Sequence, residues 1–402
     1  MSGARTLSAR WVFPVAGPPI ENGRVTVVGT TIESVGPPES WAADEHLGNV
    51  AIIPGLVNPH THLDLSGARG LISPKDYPHF TDWLKAVIAY RRSRTAEQTA
   101  QDIRDGLREC LKFGTTLIGD IAAEGLSWDA LSTAPTRAIV FRELIGLSAA
   151  RTEQVLKEAK DWDHSTPDTE LCRKAYSPHS PYSASAGLIA GAGRLCRGAN
   201  RPLAIHLSES ADETAFVYER AGPFVEFLKG LNVWTESGLV ADFADAMLLG
   251  DVQQPLLFVH ANRLAPTTPI SANGTIVYCP RTHAAFGHPP HPFREFLNRG
   301  IRVCLGTDSL ASNPDLDVLA EARFLRAKFS DLAGDVLLRM VTLSGAEALG
   351  QLKGAGSLEP GKSADLVAIP LPDLATSDPH DLLFASDLQH LPRRTMFRGT
   401  WR

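Results

Sequence analysis

The sequence predicts an α/β fold, a (β/α)8 TIM barrel over residues 52–351 joined to a small β-sandwich domain built from both termini, 1–51 and 352–402. Two observations carry this. Across the middle of the chain, eight short apolar or β-branched runs alternate with longer segments of helical spacing, the pattern of repeated β/α units around a parallel sheet. At both ends the pattern changes to polar and apolar residues alternating around Gly and Pro, as antiparallel strands do. With 402 residues, 44% hydrophobic and 21% charged, the chain has enough apolar material for a core of that size.

In chain order the runs are AIIPGLV (51–57), TTLIGD (115–120), AIVFREL (138–144), KAYSPH (174–179), PLAIHL (202–207), LLFVH (256–260), TIVYC (275–279) and IRVCLGTD (301–308). The terminal strands are expected in RVTVVGTTIESVG (24–36) and GSLEPGKSADLVAI (356–369). A lone hairpin is only marginally stable, so the two ends are expected to pair with each other.

Composition excludes several classes. Apolar runs such as LLFVHA (256–261) are far shorter than the roughly 18 residues that span a bilayer, and the N-terminus has no signal-type stretch, so a cytoplasmic protein is expected. The net charge of −6 comes without a basic run to match a phosphate backbone, which argues against nucleic acid. Five widely spaced cysteines without a C-x-x-C pair read as buried free thiols rather than a disulfide framework.

The first run leads into PGLVNPHTHLDLSG (54–67), where His60 and His62 stand two apart, so that extended backbone turns both imidazoles to one face. With 13 histidines, about 0.4 H-x-H pairs arise by chance, so the weight comes from position. His206, His260 and Asp308 close the fifth, sixth and eighth runs, at the strand ends where barrel enzymes build their sites. Imidazoles from His60, His62 and His206 with a carboxylate from Asp308 suit one divalent metal. Zn2+ is the first choice, with Fe2+ or Mn2+ as alternatives, and one position stays open for water. Such a metal lowers the pKa of that water to about 7, and Asp308 can accept its proton. Glu209, three residues after His206, is the candidate proton shuttle, because a departing amine needs protonation first at the ring nitrogen and then at itself. A solvated loop acid or helix-cap neighbour is the structural alternative for Glu209. His260 either ligates the metal or hydrogen-bonds the attacking water, and the second role is favoured.

PGLVNPHTH, HLSES, FVHANRL and LGTDSLASN resemble the amidohydrolase superfamily, on its cytosine- and adenosine-deaminase-like branch, over nearly the whole chain including PGKSADLV. The resemblance implies the same ligands, His60, His62, His206 and Asp308, with Glu209 as shuttle and His260 orienting the water. Other members hold two metals bridged by a carboxylated lysine on the fourth strand. Here that strand end reads AYSPHSPYS, with Lys174 at its opposite end and His179 at the rim, which implies one metal and a histidine facing substrate. The H-x-E and P-C-x-x-C elements of the separate cytidine-deaminase fold are absent.

HTHLDLSG, FTDWLKAVIAYRR (80–92), FVYERAGPFVEFLKGLNVW (216–234) and YCPRTHAAFGH (278–288) look like aminodeoxyfutalosine deaminases and their near relatives. That resemblance implies an adenine nucleoside bearing a benzoate-like group, whose carboxylate a guanidinium would match in bidentate fashion, with Arg281 the favoured residue. Arg281 and His283 equally suit a loop that merely caps the seventh strand. Trp83 and Phe286 are candidates to stack on the purine, though aromatic residues on amphipathic segments more often belong to the core; Glu143 is a candidate to accept from a ribose hydroxyl and equally suits a surface salt bridge. His288 and His291 have metal-like spacing, but flanking prolines favour a rigid loop.

The function expected is hydrolytic deamination of an adenine-like nucleoside with release of ammonia. Rivals are hydrolysis of another leaving group, such as chloride from a triazine or an amide or carbamate, and a catalytically inert scaffold, which would have lost ligands that this chain retains. The expected partner is a small heterocyclic substrate; a homodimer is compatible with the sequence, and neither nucleic acid nor membrane is expected.

Overall fold

The computed structural model describes residues 3–38, 42–165, 167–250, 253–385 and 391–402. Eight parallel strands form one sheet in chain order: β1 (Leu56–Thr61), β2 (Thr115–Ala122), β3 (Arg137–Leu144), β4 (Cys172–Pro178), β5 (Leu203–Leu207), β6 (Leu256–His260), β7 (Gly274–Tyr278) and β8 (Arg302–Leu305). Every connection except the one from β6 to β7 carries at least one helix. Every second residue of these strands turns inward, and Val57, Ile139, Phe141, Leu257, Val259 and Val277 belong to one buried apolar cluster inside the barrel.

The sheet is nearly closed. Between β8 and β1 the only pairing among the described residues is a bridge from Thr61 to Asp308, with the Asp308 N–H donating to the His60 carbonyl at 3.1 Å. The side-chain amide of Asn58 stitches the same seam. Its Nδ2 donates to Thr307 Oγ1 at 2.8 Å and its Oδ1 accepts from the Thr307 N–H at 3.2 Å.

The terminal segments form two further sheets. In one, Ala4–Ser8 pairs with the hairpin Arg24–Val28/Thr31–Gly36 and with Glu45–His46. In the other, Val50–Pro54 lies between Trp11–Val12 and Leu366–Pro370, and the latter continues to Arg394–Phe397 and Thr400–Trp401. Leu7, Val25, Ile52, Leu366 and Met396 fill the apolar layer to which both sheets contribute.

The first predicted run, 51–57, is thus two strands rather than one. Its residues up to Pro54 belong to the terminal sheet, and the barrel strand begins at Leu56. The division falls at Gly55, where a Cβ would lie 2.0 Å from Thr116 Oγ1, so only glycine lets the chain pass this close to β2. The eighth run is also shorter than expected, with regular pairing ending at Leu305 so that Asp308 stands beyond the strand, on the isolated bridge to Thr61. Among the described residues no helix is long and apolar enough to cross a membrane.

Candidate metal centre and substrate cavity

The register of β1 against β2 slips twice, between Leu56 and Val57 and between Asn58 and Thr61. Val57 faces the barrel interior, and after the slip it is His60 and His62 whose rings enter the site, 5.0 Å apart and perpendicular. His206, next to the last residue of β5, anchors its Nδ1 on the His179 carbonyl at 2.9 Å and presents Nε2 to the cluster. Asp308 follows β8 in a left-handed conformation (φ 61°). Its Oδ2 accepts from Ser312 Oγ at 3.0 Å and its Oδ1 faces the histidines.

His62 Nε2 lies 3.2 Å from His206 Nε2, and Asp308 Oδ1 lies 3.5 Å from His60 Nε2 and 3.6 Å from His62 Nε2. Two ligands of one tetrahedral zinc ion, each about 2.0–2.1 Å from it, stand roughly 3.4 Å apart, so these separations fit a shared ion. Both ring nitrogens of His60 are buried without a hydrogen-bond partner. Four groups that are costly to bury unpaired therefore converge on one point, and a divalent cation is what such a donor set satisfies. His260 also comes within ligand range of His60 and Asp308.

Electrostatics follow from burial. It drives His62, His206 and His260 well below the usual histidine range, which keeps their imidazoles neutral. Burial pushes the Asp308 carboxyl up, but His60, His260 and His62 outweigh it and hold the group ionised. Glu209, 5% exposed, is pushed well above the usual carboxylate range by burial and then by Asp308 and Glu213. Its Oε1 stands 3.5 Å from His260 Nε2.

These groups form the floor of a cavity of about 510 Å³. Its walls include Trp83, Val87, Leu147, Phe227 and Trp234, with Arg92 and Arg151 nearer the solvent side. His179 also lines it. The His179 Nδ1 contacts Ser183 Oγ at 2.7 Å, its Nε2 approaches Glu143 Oε1 at 3.8 Å, and burial lowers its pKa to about 3. Glu143 is held by Arg91 through Oε2 at 3.2 Å, while its Oε1 is buried without a hydrogen-bond partner.

The model of the amidohydrolase family matches residues 51–401. The chain belongs to the amidohydrolase family. It is 29% identical over 397 residues to the 5-methylthioadenosine/S-adenosylhomocysteine deaminase of Moorella thermoacetica, covering 92% of this chain and 86% of that one. It is 28% identical over 346 residues to the aminodeoxyfutalosine deaminase of a Nitratiruptor species, covering 84% and 83%. The crystal structure of Helicobacter pylori aminofutalosine deaminase has the same fold, with a TM-score of 0.84 at 20% identity over 100% of both chains.

Three of the expected substrate residues of this amidohydrolase lie elsewhere. Arg281 does not line the cavity. Its guanidinium is committed to Glu321 (2.7 Å) and Asp315 (2.7 and 2.9 Å), and it stands on the short helix Pro280–Ala285 after the seventh strand rather than on a capping loop. His283 does not line the cavity; its Nε2–H donates to the Pro289 carbonyl at 2.9 Å. Phe286 packs edge-on against Trp83 at 5.0 Å, as support for that ring rather than as a purine platform.

Sequence reasoning missed Asp64, Arg91 and Asp120. Arg91 Nε donates to Asp64 Oδ2 at 2.8 Å, tying the helix Phe80–Ser93 to the turn after His62. Asp120 accepts from the Leu63 N–H at 2.9 Å and from Thr61 Oγ1 at 2.8 Å, and so fixes the backbone on either side of His62. Arg91 and Asp64 are 27 residues apart and left no local signal. Asp120, by contrast, ends the second predicted run and is visible there. Lys174, fully buried, lies over the rings of Trp128 and Trp162 and donates to the carbonyls of Trp162 and Asp163, away from the histidine cluster.

Proposed function

We propose that this amidohydrolase is a zinc-dependent hydrolytic deaminase of an adenine nucleoside with a carboxylate-bearing, partly aromatic 5′ substituent, aminodeoxyfutalosine being the best match. The observation that carries the reaction type is the buried Glu209 carboxyl, 3.5 Å from His260 and lining the same cavity floor as His62, His206 and Asp308.

His60, His62, His206 and Asp308 would hold the ion, which when bound supplies Lewis acidity that makes water a competent nucleophile near neutral pH. His260, neutral by burial, accepts a hydrogen bond from the water and aligns it on the amino-bearing ring carbon. Asp308, ionised, takes the water's proton. Glu209 gives its proton to the ring nitrogen beside that carbon, takes up the remaining proton of the added hydroxyl and passes it to the departing amine; ammonia leaves, the carbon becomes a carbonyl, and the proton held by Asp308 returns to Glu209. His179 faces the purine edge, Trp83 its plane, and the free Glu143 Oε1 accepts from a ribose hydroxyl.

The substituent is argued from the walls. Apolar side chains of Val87, Leu147, Phe227 and Trp234 suit an aromatic body, and Arg92 and Arg151 suit a terminal anion. Relatives with both substrate names support the adenine nucleoside class. The test is ammonia release from zinc-loaded protein with adenosine, 5′-methylthioadenosine, S-adenosylhomocysteine and aminodeoxyfutalosine, beside atrazine for chloride release. The highest kcat/KM is expected for aminodeoxyfutalosine. Turnover of atrazine alone, or of none of the nucleosides, overturns the reading.

A further inference from the structure

Glu209 acts only if its carboxyl is held over the cluster, yet it sits on the short loop between β5 and the helix Ala211–Glu219, preceded by Ser208 in a left-handed conformation (φ 54°). That turn is held from below by a second carboxylate. Glu213 is completely buried; its Oε1 accepts from the Ser208 N–H at 3.2 Å and its Oε2 from the Glu209 N–H at 2.6 Å. Its own N–H donates to Ser210 Oγ, the helix N-cap, at 3.1 Å. On the next peptide, Asn262 Nδ2 donates to the Glu209 carbonyl at 3.0 Å.

A helix-start Ser-x-x-Glu ordinarily turns its Glu back onto the N-cap N–H. Here the side chain reaches one and two residues farther, to the two N–H groups that set the direction of Glu209. We infer that Glu213 is a positioning residue for the deamination, whose bidentate acceptance of the Ser208 and Glu209 N–H groups aims the Glu209 carboxyl at the reacting ring. This rests on Glu209 being the proton shuttle.

Glutamine at 213 keeps the volume but offers one acceptor oxygen; its NH2 faces the second N–H, which becomes a buried donor without a partner. The experiment compares Glu213→Gln, Glu209→Gln and the double variant for kcat, KM and zinc content, with crystal structures of the parent and Glu213→Gln. In Glu213→Gln, zinc content and KM stay near the parent's and kcat falls about 10- to 100-fold. In the Glu209→Gln background the same change costs nothing further, because both act through one carboxyl. A Glu213→Gln enzyme with the parent's kcat, or an additional loss of equal size in the double variant, overturns the inference. If Glu213→Gln does not fold, Glu213→Asp replaces it, with two acceptors on a shorter arm and an expected kcat between those of the parent and Glu209→Gln; parental kcat again overturns it. If the parent turns over no nucleoside, the reaction reading fails separately. The crystal structures then decide, since an unchanged 3.5 Å separation between Glu209 and His260 in Glu213→Gln would refute positioning.

Discussion

The Asp308 N–H donates to the His60 carbonyl across 3.1 Å, so the hydrogen bond that closes the barrel joins the backbones of two residues of the metal centre. No strand ladder shares that seam among the described residues; the Asn58 amide carries the rest of it. Asn58→Ala leaves the Thr307 N–H and hydroxyl buried without this partner and is expected to cost about 1–3 kcal/mol. Chemical denaturation and zinc content measured on the same preparation check it. Loss of zinc at parental stability would separate the seam from the fold.

Glu209→Gln is expected to retain zinc and lose at least about 100-fold in kcat, since the amide has no acidic proton to give and cannot take one up near neutral pH. Metal analysis beside steady-state kinetics reads both, and a fully active variant rejects the shuttle.

His260 occupies a left-handed conformation (φ 67°) that a histidine adopts only when its surroundings impose it. His291 supplies one constraint, with its Nε2–H donating to the His260 carbonyl at 2.8 Å while its ring stacks on Tyr278 at 3.9 Å. His291→Ala is expected to lose about 1–3 kcal/mol of stability together with turnover. His291→Gln, which offers an amide donor, recovers part of both. Equal kcat in parent and alanine variant would show that His260 needs no such support.

Arg281→Ala removes the partner of a Glu321 carboxylate that is completely buried, and a loss of about 3–5 kcal/mol is expected. KM for the preferred nucleoside stays unchanged at a temperature where the variant is folded. A raised KM at parental stability would restore Arg281 to the substrate site.

Burial lowers the pKa of His179 to about 3, of His283 to about 4 and of His291 to about 3, against an unfolded value near 6.5. Above pH 6.5 these rings are neutral in both states. Below it the unfolded chain takes up protons that the folded one refuses, so stability falls as pH drops from 6.5 toward 4, by up to about 1.4 kcal/mol per pH unit for each ring. Urea unfolding at pH 7 and 5.5 measures the slope, and His291→Gln should make it shallower.

How much of this could be read in the sequence depended on the range of the interaction. The eight barrel strands announced themselves through local apolar runs, and His60, His62, His206 and Asp308 through their places at strand ends. The first run misled because Val50–Pro54 and Leu56–Thr61 are both buried strands, joined by a single glycine without a turn. Arg281 misled in another way: a guanidinium at the end of a barrel strand satisfies a substrate carboxylate or an internal one equally well, and Asp315 and Glu321 are invisible as its partners until the chain is folded. The Arg91–Asp64 pair is equally nonlocal. Glu213 is different: SADE at 210–213 has the spacing of a capping box, a local signal that the sequence reading passed over, and that spacing alone would have set the Glu213 side chain on the Ser210 N–H rather than on those of Ser208 and Glu209.

Gly55 gives the two halves of the polypeptide a common fate. Its N–H donates to the Asp365 carbonyl at 2.8 Å, and Val50–Pro54 is zipped to Leu366–Pro370, only a handful of bonds upstream of His60. Trimming the last forty or so residues would therefore unclasp the segment that delivers the His60 and His62 imidazoles to the cluster, and a protease nick near the C-terminus is expected to disturb that cluster. Anyone grafting this barrel into another scaffold inherits the obligation to carry its tail along.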